Sequence, residues 1–62
     1  MDKEHIIIIG KHEVHPSAAF FIDRFDETEG AVYFPEHVEI NTREMVMAYL
    51  FSEYNLNLSR GN

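Results

Sequence analysis

Met45-Val46-Met47-Ala48-Tyr49-Leu50-Phe51 places seven apolar residues in a row. The run lies inside the one stretch of the chain long enough for a substantial helix. Just before it, Asn41-Thr42-Arg43-Glu44 reads as a helix start. Asn41 suits the N-cap, with Glu44 three residues on as in a capping box, and Thr42 is the alternative cap. Asn55 and Asn57 favour a stop near Tyr54 or Asn55, because asparagine tolerates left-handed φ.

At 100° per residue, Met47, Leu50, Phe51, Tyr54 and Leu58 fall on one side of this helix. Met45, Tyr49 and Leu56 fall nearly opposite, and the polar stripe (Glu44, Ala48, Ser52, Asn55) is weak. A surface helix normally has one apolar stripe and a polar back.

The chain N-terminal to the helix reads as a small sheet. His5-Ile6-Ile7-Ile8-Ile9 is β-branched and continuous, so it predicts a strand with Ile6 and Ile8 on one face and Ile7 and Ile9 on the other. Gly10 ends that strand or bulges it, and residues 11–14 extend it with more polar character. His15-Pro16-Ser17 breaks it. Residues 18–25 predict a second strand with aromatics on both faces. Asp26-Glu27-Thr28-Glu29-Gly30 has hairpin length, with Gly30 where positive φ is usual. Ala31-Val32-Tyr33-Phe34 returns as a third strand that Pro35 interrupts.

The expected fold is therefore α+β: a three-stranded, mainly antiparallel sheet, element order β-β-β-α, with one C-terminal helix packed on one face. The 62 residues are expected to form one small domain, frayed at 1–4 and 59–62, with Leu56 and Leu58 folding back on the sheet.

A chain of this length buries only about 60% of its unfolded surface. It contains no cysteine, so disulfides and thiolate zinc sites are excluded as staples. Forty-five per cent of the residues are hydrophobic, too many for wholesale disorder. One helix covers one face of a small sheet, and the other face still holds isoleucines and a phenylalanine. A second body, either another copy of the chain or a different protein, is expected to cover the remainder. Met45 and Met47 suit an adaptable groove, though plain core filling explains both, and core is the reading for Phe20, Phe21 and Phe34.

The formal charge is −6, from 11 acids against 5 bases. That balance argues against direct nucleic-acid binding, which needs cations to neutralise phosphates. No apolar run reaches the roughly 18 residues of a membrane span, and no signal-peptide pattern opens the chain. The expected location is cytoplasmic, with the chain taken as complete.

Chemistry-bearing motifs are absent. There is no glycine-rich phosphate loop and no nucleophile elbow. His12-Glu13-Val14-His15 is the tightest histidine cluster, but residues three apart on a strand face opposite ways. Convergence of His15 with His5 or Asp23 would need particular strand pairing, so no metal or cofactor is assigned. Asp23, between Phe21 and Phe25, is expected to be half-buried. No catalytic residue is assigned either.

The best surface feature is the acidic hairpin. The functional expectation is a small acidic, non-enzymatic regulator or inhibitor that occupies a partner protein's surface, possessing a homodimer interface, a hetero-partner with a basic surface, or both. Its partner-binding residues are Asp26, Glu27 and Glu29 on the hairpin with Met47, Leu50, Phe51 and Tyr54 on the helix. The alternatives are a homo-oligomeric assembly subunit, or a small metal- or ligand-dependent enzyme with its site at a dimer interface.

Overall fold

The computed structural model describes residues 6–61. The lead-in at 1–4, His5 and residue 62 lie outside the described residues. Elements follow in the order β1 (Ile8–Ile9), β2 (His12–Glu13), α1 (Pro16–Ala19), β3 (Arg24–Asp26), β4 (Ala31–Tyr33), α2 (Ile40–Tyr54) and β5 (Ser59–Arg60). The fold is α+β with two small sheets, β1-β2 and β3-β4-β5.

The isoleucine run does not form a long strand. It turns back at Gly10, pairing Ile8 with Glu13 and Ile9 with His12. Gly10 has φ +64° and Lys11 a negative φ, the pattern of a two-residue type II′ hairpin loop. The alternation holds: Ile7 and Ile9 are buried, whereas Ile6 and Ile8 are 53% and 62% exposed.

The predicted second strand is corrected at its N-terminal half, because residues 16–19 are helical. Pro16 stands at the first helical position, where its missing N–H costs nothing. His15 caps the turn, its Nδ1 accepting from the Ser17 N–H at 3.1 Å. Ala18 and Ala19 follow, good helix formers small enough to bury fully. Only Arg24–Asp26 is left as strand, so Asp23 falls outside the alternation and is exposed rather than half-buried.

β3 and β4 form the expected antiparallel hairpin, with Arg24 opposite Tyr33 and Asp26 opposite Ala31. Gly30 closes the turn at φ +66°, its N–H bonded to the Asp26 carbonyl at 2.8 Å.

The long helix is where the sequence puts it, but its start is built differently. It begins at Ile40 with Glu39 as N-cap and no side-chain cap bond, so the expected Asn41–Glu44 box is not made. The Arg43 guanidinium fixes the entry. Its Nε donates to the Val38 carbonyl at 2.8 Å, and one Nη donates to Pro35 at 3.0 Å and Glu36 at 3.3 Å. This tertiary tie outweighs a local cap. The C-terminal end matches its reading: Asn55 is left-handed at φ 59°, and the Leu56 N–H reaches back to the Leu50 carbonyl at 3.4 Å.

The expected frayed end is instead a strand. Ser59 and Arg60 pair in parallel with Ala31 and Val32. The Ser59 N–H bonds to Gly30 and the Gly61 N–H to Val32, at 2.9 and 2.7 Å. The three-stranded sheet is therefore mixed rather than mainly antiparallel. β4, α2 and β5 make a crossover unit, which parallel neighbours require.

Leu50 and Val32 are fully buried and share one core with Ile9, Val14, Ile22 and Phe34. On α2, Val46 and Leu50 are buried, with Met47, Tyr49 and Tyr54 half-buried on either side. Leu56 and Leu58 pack against this core as expected. No helix among the described residues is long and apolar enough to cross a membrane.

Candidate functional site

The acids of the hairpin are largely engaged within it. Asp26 Oδ1 accepts from the N–H groups of Thr28 and Glu29, at 3.0 and 3.2 Å. Its other oxygen lies 3.7 Å from the Arg24 guanidinium. Glu29 accepts the Tyr33 hydroxyl proton at 2.7 Å. That bond, with some desolvation, raises the Tyr33 phenol above its ordinary pKa of 10.0. Arg24 in turn stands over the Tyr33 ring, 4.0 Å from its centroid. Glu27, exposed at the tip, is the hairpin acid left facing solvent.

The helix residues expected to bind a partner separate from one another. Leu50 is fully buried and belongs to the core. Met47 is half-buried, and Phe51 is 57% exposed. Tyr54 faces the start of α1: its hydroxyl accepts from the His15 backbone N–H at 2.9 Å, and its ring meets His12 at 5.3 Å and Tyr49 at 5.9 Å. The structure thus gathers the acids around Tyr33 and Tyr54 around the His12–His15 segment, two separate clusters.

What the fold does assemble is an apolar groove between α1 and the N-terminal part of α2. One section, about 260 Å³, is lined by Ala18 and Phe21 on one side and Met45, Val46 and Tyr49 on the other. A wider section of about 570 Å³ continues past Phe21 and Thr42 to Phe20, Val38 and Glu39. Phe20 is 75% exposed and Met45 71%, and these are the two most exposed large apolar side chains among the described residues. Phe20 and Phe21 meet edge to face at 5.1 Å.

The sequence reading of Phe20 as core, made with residues 18–25 taken as a strand bearing aromatics on both faces, is corrected by its 75% exposure. The signal that finds it is His15-Pro16-Ser17. Read as a cap and first turn, that tripeptide makes the next residues helical and puts Phe20 beyond α1. Phe34 is buried as expected, and Phe21 half-buried.

Among the described residues, no three His, Asp or Glu side chains converge on a metal-sized site. His15 Nδ1 is also within 2.9 Å of Ser17 Oγ, so that nitrogen is occupied by α1 capping. The groove offers hydrophobic contact, three hydroxyl-bearing residues (Ser17, Thr42 and Tyr49), the His37 imidazole and one carboxylate, Glu39, a chemistry suited to holding an apolar surface. Compared with known proteins, the chain matches no family model, no curated protein and no solved structure.

Proposed function

We propose that this chain is a small, acidic, non-enzymatic regulator or inhibitor that acts by occupying the surface of a partner protein through the α1–α2 groove. The observation that carries this reading is the exposure of Phe20 and Met45, at 75% and 71%, beside an open apolar groove. Large exposed apolar patches on small domains mark interaction sites.

Magnitudes set what the partner must do. Burying Phe20 and Met45 contributes about 1.5–3 kcal/mol each. Association costs roughly 4–15 kcal/mol in lost freedom and ordering. Two anchors alone do not offset that, so the partner must also fill the groove. The net charge of −6 steers encounter with a cationic surface, and association weakens as salt rises.

The test is co-purification of a tagged chain with its partner, against Phe20→Asp and Met45→Asp. Both positions are exposed, so both variants are expected to keep their melting temperature and lose the partner. Retention of the partner by both variants refutes the reading.

A second reading, a self-assembling subunit, is favoured by a different surface. Ile6 and Ile8 lie exposed on the outer face of the β1–β2 hairpin, in a segment with no charged side chain from 6 to 10. Glu13, paired opposite Ile8, shares that face, so a second copy would meet its carboxylate beside the isoleucines. Light scattering decides it: a dimer that Ile8→Lys converts to monomer supports self-assembly, and a monomer at all concentrations excludes it.

A further inference from the structure

The first turn of α1 leaves one backbone donor to a side chain. Pro16 has no N–H, and the N–H groups of Ala18 and Ala19 both reach the His15 carbonyl, at 3.0 and 2.9 Å. Ser17 is the remainder. Its N–H is held by His15 Nδ1 at 3.1 Å, and among the described residues no other acceptor takes it. The hydroxyl or amide oxygen of an ordinary cap would do this without titrating. An imidazole does it only while that nitrogen keeps its lone pair, because both ring nitrogens of an imidazolium are donors.

The same geometry shows what the protonated ring does instead. Ser17 Oγ lies 2.9 Å from the same Nδ1. With the ring neutral and its proton on Nε2, that hydroxyl and the Ser17 N–H share one lone pair. With the ring protonated, Nδ1–H donates to Oγ and the Ser17 N–H is released to water. His15 and Ser17 are exposed, so the proton arrives from solvent without unfolding. The capped turn binds one proton fewer than the released one. Its population therefore falls as pH falls through the histidine range.

Two elements pack around His15. From α2, the Tyr54 hydroxyl accepts from the His15 N–H at 2.9 Å, and Tyr49 stands against Tyr54. From β2, the His12 ring meets Tyr54 at 5.3 Å and is the second imidazole of this cluster. Glu13 and Glu53 adjoin these contacts in the chain, as does Lys11. Among the described residues no carboxylate forms an ion pair with His15.

We infer that His15 is a pH-sensitive cap: its neutral ring closes the first turn of α1, and its imidazolium opens it. The turn places Ala18, and Phe20 and Phe21 follow it directly, so the cap acts on one wall of the apolar groove. Water takes up the released N–H, so the outcome is a loosened turn and a folded domain. Losing a cap of this kind changes the helical population roughly two- to thirtyfold. What the cap does to a bound partner rests on the protein-binding reading above; the cap itself does not.

The experiment is an NMR titration of the full chain from about pH 8 to about pH 5, alongside His15→Asn and His12→Gln. Asparagine caps through an oxygen that does not titrate in this range. At the alkaline end His15 is expected to carry its proton on Nε2. On acidification the Ser17 amide proton is expected to move upfield, and the helical Cα shifts of residues 16–19 to shrink, both with the midpoint of the His15 ring. His15→Asn should hold both constant, and His12→Gln should leave the titration in place. Capture of the partner is expected to weaken on acidification more in the parent than in His15→Asn.

A Ser17 amide that stays put while the His15 ring titrates overturns the inference. So does a neutral ring with its proton on Nδ1, or a Ser17 titration that persists in His15→Asn. Partner capture that falls equally in the parent and His15→Asn removes the cap's hold on the groove. If the amide follows the ring while Phe20→Asp and Met45→Asp both keep the partner, the cap stands and the protein-binding function fails. If those variants lose the partner and the amide is flat, the function stands and the cap is wrong.

Discussion

The Tyr33 hydroxyl donates a 2.7 Å hydrogen bond to Glu29, four residues back across the hairpin turn. The carboxylate favours the neutral phenol, so the folded pKa lies above its ordinary value. A group raised on folding contributes stability in full below its unfolded pKa, about 10 for tyrosine, and loses it as pH rises through the folded value. Thermal melts are therefore expected to fall more steeply above about pH 10 in the parent than in Tyr33→Phe. Glu29→Gln should lower the Tyr33 pKa, measured by phenolate absorbance. An unchanged titration in Glu29→Gln would show that the bond does not hold in solution.

Arg43 supplies the second prediction. Its guanidinium holds the carbonyls of Val38, Pro35 and Glu36 at the entry to α2, and Pro35 also accepts from the Val38 N–H at 3.1 Å. Hydrogen bonds to a charged group contribute about 1.5–3 kcal/mol each in isolation. Partial solvent access reduces the sum, so Arg43→Ala is expected to cost roughly 2 kcal/mol. For a domain this size that lowers Tm by about 8–16 °C. Arg43→Lys should recover less than half, because a single ammonium cannot reproduce the planar fork across separated carbonyls. Equal melting of the alanine and parent proteins would remove Arg43 from the account of how α2 begins.

Gly61 tests the tail. A Cβ there would lie 2.5 Å from the Tyr33 ring. Gly61→Ala must therefore displace the ring or the strand, at an expected cost of about 1–3 kcal/mol. Amide exchange at Ser59 and Gly61, whose N–H groups bond to Gly30 and Val32, should quicken. Unaltered protection at both amides would mean that β5 is not seated against β4.

Leu50 and Met45 separate core from surface on the same helix. Leu50 is fully buried, so Leu50→Ala is expected to cost about 2–5 kcal/mol, and Leu50→Asp to abolish the cooperative melt. Met45 is 71% exposed, and Met45→Asp should shift stability by no more than about 0.5 kcal/mol. Circular dichroism melts decide both. Comparable losses at the two positions would mean that the buried face of α2 is misassigned.

Elements whose signals are local were legible in the amino-acid order. The β3–β4 hairpin follows from an acidic turn of fixed length closed by Gly30. The body of α2 and its C-terminal stop follow from the apolar run and from Asn55, which adopts the left-handed conformation that a helix end favours, whereas its start at Ile40 did not. The alternation of Ile6 to Ile9 split the isoleucines between two faces, and the packing of the chain decided that Ile7 and Ile9 are the buried pair. Tertiary structure decided the rest. α1 is a single turn and β5 two residues, too short for any periodicity, and both persist through bonds to distant partners: Tyr54 to His15, and β4 to the tail. Which side of α2 is buried, and so which side chains line the groove, depended on those contacts. A helix apolar on both sides carries no internal preference, and its orientation is set by what the remainder of the chain leaves open.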